Sequence, residues 1–431
     1  KKAAGVEPVI GLAAILASLD PANQAWEGLD PLVARELLAQ SPSRIGPLSK
    51  LLAPRAESLM ALVGALVNGP DVSPAELAAA FQGLAGLAGS DADRIVDMVL
   101  SARNPVPGPM MPALKADRVR SLAALERWRS KPMPPEARAA LHAMEIGLGD
   151  KEAVRNLEYQ PDPTLRTELV RILHTVIPDP VDLASLTLEH TDPGVVAGGV
   201  LALGEYDSER LARRIGKWNA ILLEMYQSHP DAGVHGALEW LLRRRQGRER
   251  ELGDAMKSLA GKPRAAGQTW EVSKDQASWL VSPGPVRLDA SRFVLPTNSA
   301  APIANGALPR ASEVIIPRAF AIATQLVTQK EYRRFRPDLP PGNEADLPDA
   351  PVRGISFPEA MAYCRWLSAR EGIPEDQMAV PAISEATDTM ISMPELFLHK
   401  IGYRFPTDWE CEYAWRGGTT SRWHWGENGG H

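Results

Sequence analysis

The chain contains 431 residues, 45% of them apolar and 23% charged, and carries a formal net charge of -6. At roughly 150 residues per domain, this length predicts two or three folding units. The composition is that of a globular rather than a disordered protein, and the acidic balance gives no general attraction to nucleic acid or anionic lipid. With Cys364 and Cys411 as the only cysteines, neither a disulfide framework nor a zinc-like CxxC pair is predicted.

The apolar stretch near the start of the chain, VIGLAAILASL, is too short to cross a bilayer, which needs roughly 20 apolar residues. We therefore predict a soluble chain without a membrane segment. It begins KKAAG without an initiator Met and ends in GGH, so we expect both ends to be cut points and any targeting signal to lie outside them. The residues themselves leave localisation open.

Residues 1 to about 260 are rich in Ala and Leu, with apolar residues at helical spacing and frequent Pro or Asp-Pro, which predicts helices throughout. Three segments align without gaps: DPTLRTELVRIL from Asp162, DPGVVAGGVLAL from Asp192 and DAGVHGALEWLL from Asp231. Each opens on an Asp whose carboxylate can accept from the first helical N–H groups, and in two of them Pro follows. The starts lie 192 − 162 = 30 and 231 − 192 = 39 residues apart, which suits one helix pair per repeat.

An apolar stripe at positions i, i+4, i+7 and i+8 recurs in the first and third segments. Its members are Leu165, Leu169, Ile172 and Leu173, then Val234, Leu238, Leu241 and Leu242. In the middle segment, Gly199 and Ala202 would let a neighbouring helix approach closely. We predict HEAT-like repeats over residues 151–262 and extend the helical repeats to residues 1–150, with an irregular helical bundle as the alternative. The mixed-charge run RRRQGRERE predicts a solvated continuation of the third helix rather than a nucleic-acid patch.

The Ala- and Leu-rich helical pattern ends around KPRAAGQTWEV, and Pro, Gly and short β-branched runs follow. The last domain is therefore predicted over residues 263–431. Two short strands are expected in WLVSPGPVRLDASRFVLP, around a Pro-Gly-Pro turn, and two more in SEVIIPRAFAIATQLVT, broken at Pro317. Capping boxes, in which Thr or Ser and a Glu three residues later satisfy each other's backbone donors, predict three helix starts. They are Thr328 with Glu331, Ser356 with Glu359, and Thr407 with Glu410.

Known catalytic and metal-binding motifs do not occur in the sequence. There is no HExxH, GxGxxG, P-loop or GxSxG, and the eight His are scattered. In the second capped helix, Ala360, Cys364 and Leu367 share a face that Gly372 terminates, so Cys364 is expected in a core, with a structural role preferred over a reactive one. The residues therefore identify no catalytic residue, metal site or cofactor.

Three strings occur in the order VIIPRAFAIATQLVTQKEYRRF, PVRGISFPEAMAYCRWLSAREGIPEDQM and GYRFPTDWECEYAWRGGTTSRWHWGE. They resemble the first half of the formylglycine-generating-enzyme, or sulfatase-modifying-factor, family. The resemblance implies a loop-rich α/β domain related to the C-type-lectin fold. The stretches DPTLR and ALGEY also resemble the repeat region that joins such a domain to a serine/threonine kinase and a membrane helix in planctomycete-type bacterial proteins. That likeness implies an extracytoplasmic part of a membrane-anchored protein.

Enzymes of this family are copper-dependent oxidases that convert a cysteine of a client protein to formylglycine with a pair of reactive cysteines. Copper and calcium are therefore implied as cofactors only by the resemblance. The family's reactive cysteines lie later in the domain than His431, so none transfers to Cys364 or Cys411. The chain reads PTDWECEYA where the family pattern reads PTEAEWEYA, and RLDASRF replaces an MGS-like strand end. These departures preserve the implied fold and lower the expectation that the family's catalytic geometry survives.

The segment SRWHWGE is the most ligand-like part of the sequence, since Trp423 and Trp425 flank His424 and aromatic residues are enriched in binding hot spots. The alternative is that one of these Trp residues closes the domain core. Two hypotheses for function follow. In the first, helical repeats act as a scaffold that presents a non-catalytic recognition domain to a partner, preferably another protein. In the second, the chain is a copper-dependent formylglycine-generating oxidase whose catalytic residues lie beyond residue 431.

Overall fold

The computed structural model describes residues 7–69, 72–289, 313–338, 347–382, 393 and 396–427. They form two compact units. The first takes in Lys1–Leu222, Trp240–Gly247 and Trp425–His431, and the second Leu223–Glu239 and Arg248–His424, as far as these ranges are described. The domain boundaries predicted after residues 150 and 262 stay predictions.

Helices make up the first unit, as the sequence predicts. In chain order they are α1 Glu7–Leu19, α2 Trp26–Leu38, α3 Pro42–Leu51, α4 Ala56–Val67, α5 Pro74–Ala88, α6 Ala92–Ser101, α7 Met111–Ala116, α8 Arg118–Arg129, α9 Pro135–Gly147, α10 Thr164–Val176, α11 Pro180–Thr187, α12 Pro193–Leu203 and α13 Ser208–Arg214. Short 3-10 turns join several of them. Buried Leu, Ile, Val and Ala side chains fill the core together with Trp26 and Phe81, so stability rests on apolar burial.

The three predicted Asp helix starts are confirmed. The Asp162 carboxylate accepts from the Thr164 N–H at 3.0 Å, Asp192 accepts from the two N–H groups after Pro193, and Asp231 accepts from the Val234 N–H at 2.9 Å. Each bond satisfies a donor that the first helical turn leaves without a partner. These bonds show well-formed helix starts, while the HEAT-like arrangement of the helices stays a prediction.

The predicted close approach at Gly199 is also present. Helices α11 and α12 pack so closely there that a Cβ on Gly199 would lie 2.0 Å from Oγ1 of the buried Thr187. Ala202, on the same helix, is fully buried. A side chain at position 199 would therefore force this helix pair to shift.

We expect Gly199→Ala to destabilise the first unit by about 1–3 kcal/mol, because the added methyl overpacks a rigid contact. Gly64→Ala is the matched control, since Gly64 also lies within a helix but a Cβ there meets nothing within 4 Å. That change should instead stabilise by up to about 1 kcal/mol through helix propensity. Urea denaturation followed by far-UV circular dichroism measures both, and equal effects of the two substitutions would contradict the prediction.

The arginine run after Leu242 departs from the prediction. Leu241–Arg245 forms a π-helical segment, but the chain then breaks at Gly247, whose φ is +63°, and a separate helix, α16, spans Glu249–Leu259. The charged residues 243–251 therefore do not form one continuous solvated helix. The Arg245 guanidinium also bonds inward, donating to the Tyr206 carbonyl at 3.0 Å.

Two helices cross the division between the units, α14 Asn219–Ser228 and α15 Ala232–Trp240. After α16, the second unit contains β1 Trp270–Val272, β2 Ser278–Ser282, β3 Val286–Asp289, β4 Glu313–Ile316, β5 Phe320–Ala323, α17 Gln329–Phe335, α18 Phe357–Glu371 and α19 Asp408–Arg416. The strands form two antiparallel sheets, in the orders β1-β2-β5 and β3-β4. The four predicted strands are confirmed, except that the part of RLDASRF after Asp289 lies outside the described residues, and β1 was not predicted.

All three predicted capping boxes of the second unit are formed, at the starts of α17, α18 and α19. Helix α18 ends at Gly372, whose φ of +78° places it in the left-handed region. Along α18 the buried residues are Met361, Tyr363 and Ser368. Cys364, expected in a core, is half-buried and lies one helical turn from both Met361 and Ser368, on the face that the helix buries.

Candidate functional site

The predicted ligand-binding segment follows α19 in a loop that is held by hydrogen bonds. The helix ends at Gly417 in the left-handed conformation. Beyond it, the Arg416 guanidinium donates to the Ser421 carbonyl at 2.9 Å. Ser421 is buried, and its hydroxyl donates to the Trp423 carbonyl at 2.7 Å. Two successive side chains thus fix the backbone on the N-terminal side of the candidate residues.

Trp423 presents a large aromatic surface, with 41% of the residue exposed. The guanidinium of Arg422 lies 5.6 Å from its ring centroid, within the range of a cation–π contact. His424 is exposed, and partial burial of the imidazole lowers its pKa below the usual value. The neutral ring is therefore favoured at neutral pH, so the pair can offer an aromatic face and hydrogen-bonding nitrogens.

Trp425 belongs to the first unit, whereas Trp423 and His424 belong to the second. It is half-buried, and its carbonyl accepts from the Thr167 hydroxyl of α10 at 2.9 Å. The alternative that one Trp closes the domain core does not apply to the exposed Trp423. In the second unit the deeply buried tryptophan is Trp270, at 1% exposure. Ligand binding by Trp423, His424 and Trp425 stays a prediction.

A buried carboxylate lies at the start of α19. Both oxygens of Glu410 are engaged: Arg404 donates to each of them at 2.8 Å, and Arg318 donates to Oε1 at 2.9 Å. Burial alone raises the pKa of Glu410, but the hydrogen bonds from Arg404 and from the Thr407 N–H outweigh it, so the pKa falls to about 2. A carboxylate held in this way stays ionised and is suited to structure rather than to proton transfer.

A second buried cluster joins α15 to the sheet. The His235 ring is stacked between Tyr226 and Trp270, with centroid distances of 4.2 and 3.7 Å. Its Nδ1 donates to the Tyr226 carbonyl at 2.9 Å, and its Nε2 lies 3.4 Å from the Ser278 hydroxyl. That hydroxyl donates to Glu239 at 3.2 Å. Burial lowers the pKa of His235 to about 4 even though the bond to Tyr226 opposes the shift.

This Ser, His and Glu set has the residue types of a hydrolytic triad but not its geometry. All three residues are at most 6% exposed, and Glu239 bonds to Ser278 instead of orienting the imidazole. The site therefore packs β1 and β2 against α15. Nothing in the sequence pointed to it, because its members lie up to 43 residues apart.

The two cysteines lie on separate helices, Cys364 on α18 and Cys411 on α19, as predicted. Burial raises the pKa of Cys364 to about 11 and also raises the pKa of Cys411. Both thiols are therefore protonated at neutral pH, whereas copper(I) and electrophiles react with the thiolate. Among the described residues, no group of three or more His, Cys, Asp and Glu could hold a metal ion.

Comparison with known families assigns the C-terminal part of the chain. Residues 265–431 match the sulfatase-modifying factor enzyme 1-like domain, and residues 265–424 of this match lie in the second unit. No curated protein and no solved structure matches the chain. Within the described residues, no helix has both the length and the apolar character that a membrane crossing requires.

Proposed function

We propose that this protein, whose residues 265–431 form a sulfatase-modifying-factor-like domain, is a non-catalytic binding protein. In this proposal HEAT-like helical repeats act as a scaffold, and the loop after α19 recognises a segment of another protein. Trp423 supplies the main contact, and the two residues that follow it, His424 and Trp425, add to it. From the resemblance of the DPTLR and ALGEY stretches to planctomycete-type bacterial proteins, we propose a bacterial protein that works outside the cytoplasm.

The observation that carries the proposal is the exposed Trp423 on a loop with an ordered backbone. A large aromatic side chain that is already held in place loses little conformational entropy on binding, and Trp is enriched among the residues that dominate binding energy. The backbone of the loop is fixed by the Arg416–Ser421 and Ser421–Trp423 hydrogen bonds. Loops on a rigid scaffold are where binding residues concentrate.

The alternative of a copper-dependent oxidase rests on the family match. That alternative does not use Cys364 or Cys411 as its reactive pair, and these two half-buried cysteines with raised pKa values are poorly suited to such a role. Such thiols hold copper(I) poorly, because deprotonation must precede ligation. We therefore favour binding over oxidation for the residues that this chain contains.

We expect Trp423→Ala in the full chain to weaken peptide binding about 30-fold, equivalent to about 2 kcal/mol. The probe is a peptide selected on the wild-type chain from a random library displayed on phage, with affinity measured by fluorescence anisotropy. Trp415→Ala is the matched control, because Trp415 on α19 is 69% exposed but lies outside the loop. It should change the affinity less than about twofold.

Two outcomes would count against the proposal. Equal losses in the two Trp variants would show that the loop has no special role. Stoichiometric, thiolate-dependent binding of copper(I) by the full-length protein would favour the oxidase instead.

A further inference from the structure

The segment Trp425–Glu427 is seated on the first turn of α10. The Thr167 hydroxyl donates to the Trp425 carbonyl at 2.9 Å, and the Glu427 N–H donates to the Thr164 hydroxyl at 3.0 Å. Thr164 is 6% exposed, and its hydroxyl donates in turn to the Asp162 carboxylate at 2.6 Å. The first turn of α10 thus offers two hydroxyls to a segment more than 250 residues away in sequence.

The middle residue of the segment fits this place only as glycine. Gly426 is buried, and its φ of +126° is a conformation that other residues rarely adopt. A Cβ there would lie 2.2 Å from the Thr164 Oγ1 atom and 2.7 Å from its Cα. The second distance involves backbone, which cannot rotate out of the way. The contact with the first turn of α10 therefore requires glycine at position 426.

We infer that the first turn of α10 is a docking site for Trp425–Glu427, and that docking holds the candidate loop in its binding conformation. This inference rests on the proposed function, because the loop that it controls is the proposed recognition loop. Thr164 and Thr167 are positioning residues. They touch no partner themselves, but they fix the carbonyl of Trp425, the residue that follows His424.

The physical reason lies in the number of fixed points along the loop. The Ser421 and Trp423 carbonyls are bonded on the N-terminal side, and the Trp425 carbonyl is bonded to α10. If the last bond is lost, the loop keeps its N-terminal bonds but gains conformations on its C-terminal side. A partner must then restrict those conformations on binding, which lowers the affinity.

The test is amide hydrogen exchange of the full chain carrying Thr164→Val and Thr167→Val together. Removal of both hydroxyls should speed exchange at residues 425–427 about tenfold or more, because local opening no longer breaks two hydrogen bonds. The control is Thr175→Val in the same helix, whose hydroxyl donates only to the Ile172 carbonyl one turn earlier, at 2.7 Å. That control should leave exchange at residues 425–427 unchanged.

The same variants are then titrated with the phage-selected peptide. The double Thr variant should lose affinity about three- to tenfold, the loss expected from a less ordered loop, with Thr175→Val at the wild-type value. Gly426→Ala, which leaves every residue of α10 in place, should reproduce both effects. Unchanged exchange at residues 425–427 in the double variant and in Gly426→Ala would overturn the docking site.

If exchange at residues 425–427 becomes faster in the double Thr variant but the peptide affinity stays at the wild-type value, the inference that docking controls the loop is wrong. The proposed function has a separate readout, because Trp423→Ala leaves both threonines and Gly426 intact. If Trp423→Ala retains full affinity while the exchange of residues 425–427 responds to the Thr pair, the recognition loop has been placed wrongly and the docking site stands.

Discussion

Glu410→Gln is expected to destabilise α19 and its surroundings by about 3 kcal/mol or more. Glu410 is 1% exposed and accepts from Arg404 and Arg318. Removal of its charge leaves two guanidinium groups facing each other without a counterion, and breaking a buried ion pair on one side typically costs about 3–5 kcal/mol. Amide hydrogen exchange along α19 measures the effect, since the two units need not unfold in one transition.

Glu359→Gln is the matched control for this prediction. Glu359 closes the same kind of capping box, accepting from the Ser356 N–H at 2.7 Å at the start of α18. Its side chain is 39% exposed, and Arg336 lies 3.7 Å away. Water can replace the lost interactions there, so we expect a loss of at most about 1 kcal/mol. If the two Gln variants were equally stable, the buried charge of Glu410 would contribute no more to stability than the exposed charge of Glu359, and the prediction would be wrong.

The pKa of Glu410 adds a pH signature. Its folded value, about 2, lies below the ordinary value of 4.5. The stabilisation is therefore complete above pH 4.5 and is lost as the pH falls through 2. A lowering of this size corresponds to a stabilisation on the order of 3 kcal/mol. Glu410→Gln should remove this part of the acid sensitivity of α19.

Mild acid is expected to loosen the packing of β1 on α15, through His235. The folded pKa of His235, about 4, lies below the ordinary value of 6.5. Between these values the unfolded chain binds a proton that the folded chain excludes, so stability is full above pH 6.5 and falls until the pH reaches 4. A lowering of this size again corresponds to a loss on the order of 3 kcal/mol. Glu239 is linked to His235 through the Ser278 hydroxyl. Its negative charge favours the protonated imidazole and so reduces this loss.

The measurement is amide exchange of Trp270–Val272 between pH 7 and 4, corrected for the intrinsic pH dependence of exchange. His235→Phe keeps an aromatic ring between Tyr226 and Trp270 and cannot take up a proton, so it should flatten this pH profile. It should also cost about 1–3 kcal/mol at pH 7, because the Tyr226 carbonyl loses its donor. His399→Phe, at an exposed position, is the control. A wild-type pH profile in His235→Phe would rule out His235 as the source.

The sequence predicted the features that depend on residues close together in the chain. The capping boxes at Thr328, Ser356 and Thr407 are visible as a hydroxyl and a Glu three residues apart, and the structure contains all three. Ser73 and Glu76 carry the same pattern and also form a capping box, at the start of α5. Such signals are local because helix starts are local hydrogen-bonding problems.

Features that depend on distant residues could not be predicted in this way. Arg318 and Glu410 are 92 residues apart, and no periodicity relates them. Thr164 and Glu427 are 263 residues apart, and the glycine between Trp425 and Glu427 had no local role that would draw attention to it. The candidate segment itself was found from its aromatic composition. Its anchoring depends on tertiary contacts, which composition does not encode.

The division of the chain into units also has a consequence for how the protein is made. The polypeptide changes unit after residues 222, 239, 247 and 424. Domains generally fold as they leave the ribosome, from the N-terminus onward. Here the first turn of α10 is synthesised more than 250 residues before the Trp425 and Glu427 groups that bond to its threonines. At about 5–20 residues per second, Thr164 and Thr167 are therefore made on the order of 10 s or more before the groups that bond to them, so this contact of the first unit forms late in its assembly.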